Sequence, residues 1–230
     1  MLASAGHVAL TAVLVAGCGS SSDGGVEVQV ISAPISLGEP RVIETDLGFE
    51  VRLDSAFWTS SEVELVPCNT ALGRLARSWI RSAHAHGTST PTLLASPIVE
   101  SARRTEALAL GRLAPPAGRY CSVRYALGPA DADARGLDAA AHMAGRSFEL
   151  RAAFRRPGEP YVDFEVESAA LLETVSTLGP LDLTRRTSRA TLRIDRDPRR
   201  WFDGIDFAVA GATAAALLDN VRTSLTVTVE

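Results

Sequence analysis

The sequence predicts a mainly β protein, folded as a single antiparallel β-sandwich with two short helices after an N-terminal signal peptide. About nine short segments alternate apolar and polar residues with a period of two, which is the pattern of half-buried strands. Turn-forming residues separate these segments at short intervals, as in β-sandwiches. Only two stretches change to the 3.6-residue period of an amphipathic helix.

The first half of the body carries the earliest strand patterns. Residues 26–31 read VEVQVI and alternate strictly, and residues 48–68 contain two more alternating runs. Between those runs, residues 59–61 (TSS) predict a turn. Residues 69–82 place Leu and Trp at helical spacing with arginines between them, so we expect the first helix there.

The second half repeats the alternation. Residues 119–127 predict a strand, and residues 147–154 and 161–166 flank the turn sequence RRPGEP, which predicts a β-hairpin. An Asp- and Ala-rich stretch at 128–145 is expected to leave the sheet. Further strands are predicted at 181–183, 190–194 and 223–229, with the second helix at 213–220; these are the remaining elements of the sandwich.

Length and charge limit the classes of protein that this chain represents. With 230 residues and 46% hydrophobic content, the chain is long enough to bury a substantial core. The net charge is −4, which argues against a nucleic-acid-binding protein, because such proteins carry strongly basic surfaces. All 23 basic residues are arginine, so a single arginine carries little functional weight by its presence alone.

The N-terminus has the features of an export signal. Residues 8–16 (VALTAVLVA) form an apolar run that spans only about 14 Å as a helix, too short for a bilayer core of about 30 Å. Val15-Ala16-Gly17-Cys18 follows and resembles the lipobox of bacterial lipoproteins. The resemblance implies a signal peptide at 1–17, lipid attachment at Cys18 and a membrane partner through that lipid. It also implies a cell-envelope location, and in a two-membrane bacterium Gly19 in place of Asp implies sorting to the outer membrane.

The lipobox interpretation also predicts where the tether and the folded domain begin. Residues 18–25 (CGSSSDGG) form a flexible polar tether without side chains that would pack into a core. The sandwich domain is then expected over 26–230. Within it, the run APPAGRYCSVRY at 114–125 resembles a strand of secreted prealbumin-like sandwich modules, a resemblance limited to about a dozen residues.

Two cysteines remain once Cys18 is lipidated. Cys68 and Cys121 both lie at or in predicted strands of an exported protein, where disulfides persist. Their spacing has no CxxC motif, so a disulfide is favoured over a redox or metal pair. Closing a loop of this length contributes about 4 kcal/mol by chain entropy.

The scarce histidines are the candidate metal ligands. His84 and His86 flank a single alanine, so both rings point to one side of an extended segment. With His142 they would suit copper or zinc, and Met143 adds a soft ligand for copper. The alternative is unrelated surface histidines. The alternating carboxylates of 131–138 are a weaker calcium candidate, with a solvated turn as the alternative.

No motif in the sequence indicates catalysis. Nucleophile elbow, HExxH and phosphate-loop patterns are all missing from the 230 residues. The aromatic run at 199–204 (RRWFDG) would stack on a sugar or a protein partner if exposed, but burial at the end of the sandwich is favoured. We therefore expect a non-enzymatic, lipid-anchored envelope module that binds a protein or carbohydrate or serves a structural role. The alternatives are a copper or zinc carrier using His84, His86 and His142, and a hydrolase with an unrecognised site.

Overall fold

The computed structural model describes residues 25–35, 42–68, 90–209 and 213–230. This part of the chain is mainly β and forms two sheets, which confirms the predicted class. Within it, no helix is long and apolar enough to cross a membrane. The strands are β1 (Glu27–Ser32), β2 (Val42–Glu44), β3 (Glu50–Pro67), β4 (Leu93–Leu94), β5 (Ile98–Ser101), β6 (Leu108–Leu113), β7 (Gly118–Leu127), β8 (Phe148–Arg155), β9 (Val162–Ser168), β10 (Leu172–Leu183), β11 (Arg189–Arg196) and β12 (Leu225–Val229).

The smaller sheet has four strands in the order β12-β11-β1-β6. Its central pair, β1 and β11, runs parallel, with Glu27 opposite Arg189 and Ser32 opposite Ile194. The expectation of an antiparallel fold throughout is therefore wrong at this pair. The chain can make the parallel contact because more than 150 residues, including β6 and the strands of the other sheet, lie between β1 and β11, far more than a crossover needs.

The larger sheet has eight strands. Five of them follow the order β10-β7-β3-β8-β9, and the other three, β2, β4 and β5, pair with β3. Strand β3 runs unbroken from Glu50 to Pro67, so the turn predicted at residues 59–61 is wrong. The register shifts between Ser60 and Glu62 instead, which is an irregularity within a continuous strand. The predicted β8–β9 hairpin is confirmed.

Buried residues from both sheets form one hydrophobic cluster. The small sheet contributes Val28, Val30 and Ile194 at alternating positions, and the large sheet contributes positions such as Leu65 and Leu150. Alternation therefore reports the buried face of each strand correctly.

One α-helix is present in the described part of the chain, α1 (Thr213–Thr223), where the second helix was predicted. Leu217 and Val221, one turn apart, are its buried residues. It packs beside the short 3-10 helix Pro198–Phe202, which ends in the buried Trp201 and Phe202. The helix predicted at residues 69–82 lies outside the described residues.

Candidate functional site

A groove with a volume of about 710 Å³ opens beside strand β6, the edge strand of the small sheet. Ser61 and Glu62 of β3 form one wall, and the segment between β4 and β5 forms the next. Leu110 and Gly111 of β6 face the loop that follows β7. The groove therefore lies where elements of both sheets meet. Clefts of this size are typical of ligand sites.

Two glycines allow the walls to approach one another. A Cβ atom at Gly128 would lie 2.7 Å from Ser61 Oγ, and one at Gly111 would lie 3.1 Å from both methyl carbons of Leu94. Both distances are shorter than ordinary van der Waals contacts, so any side chain would push the walls apart. The shape of the groove therefore depends on glycine at these two positions.

Arg135 connects the loop after β7 to both sheets by hydrogen bonds. Its Nη2 donates to the carbonyl oxygen of Leu110 at 2.7 Å and to that of Ala109 at 3.2 Å. Its backbone also pairs with the large sheet, because Arg135 N donates to Pro97 O at 3.0 Å and Val99 N donates to Arg135 O at 2.8 Å. These bonds hold the wall in place, so the groove is pre-formed.

The groove is acidic. Among the described lining residues, Glu62, Asp131 and Asp133 carry carboxylates, and Arg135 carries a guanidinium that donates to carbonyl oxygens. Leu171 stands on the rim with 57% of its surface exposed. A ligand here would meet carboxylates, hydroxyls and aliphatic side chains.

A three-carboxylate cluster extends the negative charge over the neighbouring sheet face. The guanidinium of Arg124 contacts Glu62 at 3.0 Å, Glu64 at 2.9 Å and Glu173 at 2.9 Å. One positive charge therefore faces three negative ones, and a net negative charge remains beside the groove.

A second, much smaller cavity shares the lining residues Ser61, Leu94 and Leu110 with the groove and is also lined by Ser60 and Ile98. Its volume of about 10 Å³ is close to the space of a single water molecule. Ser60 belongs in turn to a set of buried charged and polar groups.

That buried ionic cluster consists of Glu100 and its partners. Ser60 donates to one carboxylate oxygen of Glu100, and Arg104 Nη2 donates to the other at 2.9 Å. Arg196 Nη2 lies 3.6 Å from Glu100 and donates to the Tyr125 hydroxyl, which in turn bonds to Ser60. The side chain of Glu100 has no exposed surface, so its charge depends entirely on these partners.

The ionic cluster joins the two sheets. Arg196 belongs to β11 of the small sheet, while Ser60 and Tyr125 belong to the large sheet. Arg196 also donates to Ser32 of β1 at 3.0 Å, and its guanidinium lies over the ring of Trp58 at 4.7 Å. The two sheets are therefore held in one relative position by directional contacts as well as by the apolar core.

Burial shifts the pKa values of Tyr125 and Arg104 toward the neutral forms. Burial raises the pKa of Tyr125 to about 12, and the neighbouring Glu100 carboxylate acts in the same direction. Burial lowers the pKa of the Arg104 guanidinium, although Glu100 opposes that change. Tyr125 is thus a neutral hydrogen-bonding group and a poor base.

Sequence reasoning missed both the groove and the ionic cluster. One signal was available for the cluster: Arg196 follows Leu192 and Ile194 at the spacing of the buried face of β11. An arginine in that phase predicts a buried partner. The groove has no comparable signal because its walls come from distant parts of the chain.

The structure places the two body cysteines together, as predicted. The Sγ atoms of Cys68 and Cys121 lie 1.93 Å apart, with their Cα atoms 4.8 Å apart. The bond joins the end of β3 to β7 at the end of the large sheet that is farthest from Glu50.

Of the predicted metal ligands, only His142 and Met143 lie in the described part of the chain. His142 Nε2 lies 3.5 Å from Glu149 Oε1, and its ring packs edge-on against Phe57. Met143 has no exposed surface and belongs to a small apolar cluster with Val99. His84, His86 and Cys18 lie outside the described residues. Among the described residues, no group of three His, Cys, Asp or Glu side chains is placed to hold a metal.

The two remaining sequence candidates have clear positions. In the acidic stretch 131–138, Asp131 and Asp133 line the groove, while Asp138 lies in the separate 3-10 helix Leu137–Ala139. Trp201 and Phe202 are fully buried, and Trp201 Nε1 donates to Ser224 Oγ at 3.0 Å. These two aromatic residues therefore belong to the core, as the sequence favoured.

No known protein family matches the chain, and neither the curated proteins nor the solved structures include a significant match. The functional argument therefore rests on the geometry above.

Proposed function

We propose that this protein is an exported, lipid-anchored module of the cell envelope that binds a short protein segment in its groove and has no enzymatic activity. In this proposal the two sheets pack as one sandwich on a tether that starts at Cys18. The observation that carries the binding role is the pre-formed acidic groove of about 710 Å³. The placement of Cys68 and Cys121 at disulfide distance supports export, because disulfides persist in oxidising compartments.

The lining of the groove favours a peptide with basic and aliphatic side chains. Glu62, Asp131 and Asp133 complement a cationic side chain, and Leu94 and Leu171 offer aliphatic contact. Stacking on an aromatic ring is a common mode of sugar recognition, and none of the described groove-lining residues is aromatic. A protein segment is therefore favoured over a carbohydrate.

The buried ionic cluster supports a non-enzymatic role. The Ser60 hydroxyl donates to the Glu100 carboxylate, yet only 3% of the surface of Ser60 is exposed, so a substrate bond would not reach it. Tyr125 beside it has a raised pKa and would not accept a proton near neutral pH. The buried ionic cluster therefore favours a role in holding the two sheets together over a role in hydrolysis.

A peptide array with random seven-residue sequences tests the binding role. We expect the wild type to select peptides that contain arginine or lysine next to leucine or isoleucine. Asp133→Lys should abolish that selection, because it reverses a charge inside the groove. Asp138→Lys is the matched control, since Asp138 lies in the same loop region but does not line the groove. Equal selection by both variants, or none by the wild type, would refute the proposal.

The anchor has its own test. Cys18→Ala should remove lipid from the N-terminal fragment in mass spectrometry and release the protein from the membrane fraction. If the Ala variant is processed and fractionates like the wild type, the anchor lies elsewhere.

A copper or zinc carrier is the second candidate. In metal sites, the second ring nitrogen of a ligating histidine usually faces a carboxylate, which orients the ring. The contact between His142 Nε2 and Glu149 has this character and would leave Nδ1 as the ligand atom. This candidate depends on His84 and His86 reaching the same ion.

A further inference from the structure

We infer that the end of the domain from which the tether emerges is a cationic face that contacts an anionic phospholipid surface. The inference rests on the proposed lipid anchor at Cys18. It concerns the face formed by the start of β1, the turn between β6 and β7 and the loop between β10 and β11.

The first step is the position of the tether. The described chain enters β1 at Glu27, which lies opposite Arg189 and donates its backbone N–H to Ser188 O at 2.7 Å. Cys18 lies seven residues before Gly25. Seven residues span at most about 25 Å when fully extended, and about 15 Å on average in a Gly/Ser-rich chain. A lipid at Cys18 therefore keeps this face close to the bilayer.

The second step is the charge of the face. Among the described residues, this face carries five arginines and two carboxylates, a net charge of +3, although the whole chain carries −4. The two carboxylates, Glu27 and Asp182, each lie 3.6 Å from an arginine of the same face, and all four of these side chains are about half exposed or more. The arginines are Arg112, Arg119, Arg185, Arg186 and Arg189.

The third step is the continuity of the face. Arg119 lies opposite Asp182 in the β7–β10 pairing, and β10 ends one residue later. The loop that follows holds Arg185 and Arg186 and leads directly into β11 at Arg189, the partner of Glu27. Beside this area, Arg193 lies 3.1 Å from Asp195 and 3.9 Å from Glu230, so one guanidinium faces two carboxylates and the cationic face ends there. The five arginines thus form one surface around the start of β1.

Charge and distance together identify the partner. Each arginine close to an anionic leaflet contributes about a fivefold preference for the surface. That attraction extends over about 8 Å at physiological salt, so it needs a tether that holds the face near the membrane. The short tether supplies this proximity.

The test uses the processed protein on vesicles, with two separate readouts. Flotation with neutral phosphatidylcholine vesicles reports the lipid anchor alone. Hydrogen exchange over residues 184–188 then reports the face, on vesicles with and without phosphatidylglycerol at about a quarter of the lipid. We expect slower exchange with phosphatidylglycerol and loss of the difference at about 0.5 M NaCl, where screening shortens the attraction to a few ångströms.

Charge reversal supplies the matched comparison. Arg185→Glu/Arg186→Glu should remove the phosphatidylglycerol-dependent slowing. Arg199→Glu/Arg200→Glu is the control, because it changes the net charge by the same amount in another exposed arginine pair, beyond the opposite end of β11. This control variant should keep the phosphatidylglycerol-dependent slowing of exchange.

The outcomes separate the two proposals. If the protein floats with neutral vesicles but its hydrogen exchange over residues 184–188 is the same on both lipids, the proposal of a cationic face is overturned and that of the anchor remains. Failure to float with neutral vesicles, together with salt-sensitive binding to phosphatidylglycerol, would overturn the anchor and leave the face. If both double variants lose the slowing of hydrogen exchange equally, the effect comes from net charge, and the assignment of membrane contact to this face is overturned.

Discussion

Glu100→Gln is the substitution with the largest expected effect on stability. The side chain keeps its shape but loses its charge in a place without solvent. Arg104 and Arg196 then face each other across a neutral amide, and the Ser60 hydroxyl loses its charged acceptor. Removing one member of a buried ionic group costs about 3–5 kcal/mol, because the charges left behind are not compensated.

Arg196→Met should lower the free energy of unfolding by less than Glu100→Gln does, although it removes a larger polar group. Glu100 keeps Arg104 at 2.9 Å and the Ser60 hydroxyl, so the carboxylate remains paired. The loss comes from the hydrogen bonds to Ser32 and Tyr125, about 1–3 kcal/mol for the groups left unsatisfied. The double variant should lose less than the sum of both, because the two sites share partners.

Urea unfolding with the disulfide intact, followed by tryptophan fluorescence, measures these free energies of unfolding. Glu165→Gln is the control, since it breaks an ion pair with Arg151 at 2.9 Å in which both side chains are about half exposed. Such a pair contributes less than about 1 kcal/mol. If Glu100→Gln costs no more than this control, or if Arg196→Met costs more than Glu100→Gln, the argument from buried charge is refuted.

Three further predictions concern other parts of the chain. Replacing Cys68 and Cys121 with serine should lower the free energy of unfolding by about 4 kcal/mol, measured in urea, and an unchanged midpoint would contradict the stabilising role of the bond. The pKa of Tyr125, about 12 when folded, is above the ordinary value of about 10, so the neutral form stabilises the fold below pH 10. Stability should therefore fall by about 2–3 kcal/mol as pH rises from about 10 to about 12, and Tyr125→Phe should remove this part of the loss; an identical pH profile in the Phe variant would refute it. Copper and zinc titrations by calorimetry should show weaker binding in both His84→Ala and His142→Ala, and wild-type affinity in either variant would exclude a shared site.

The strand pattern was predictable because alternation reports a local property. Whether a residue points into the core depends on its position along its own strand, so β7, β8, β9 and β11 were found from the sequence. The shorter strands β2, β4 and β5 were missed because two to four residues are too few to show a period. The turn predicted within β3 failed because pairing with strands on both sides holds polar residues in an extended backbone.

Site prediction depended on the same distinction between local and distant information. Cys68 and Cys121 were paired correctly because the body of the chain offers only these two cysteines. The buried ionic cluster combines residues from four strands and a turn, and its members look ordinary in their own segments. Asp133 was noticed for its spacing, yet its position on the wall of a groove depends on how the loop after β7 is fastened by Arg135.

The sequence by itself determined the β class, the apolar face of the long strands, the hairpin between β8 and β9 and the pairing of the body cysteines. Each of these follows from periodicity, turn chemistry or composition, which act over a few residues or by count. Only the tertiary structure decided the parallel pairing of β1 with β11, the charge balance around Glu100, the groove and the gathering of arginines around the start of β1. These depend on contacts between residues far apart in the chain, which packing of the two sheets selects and local sequence does not encode.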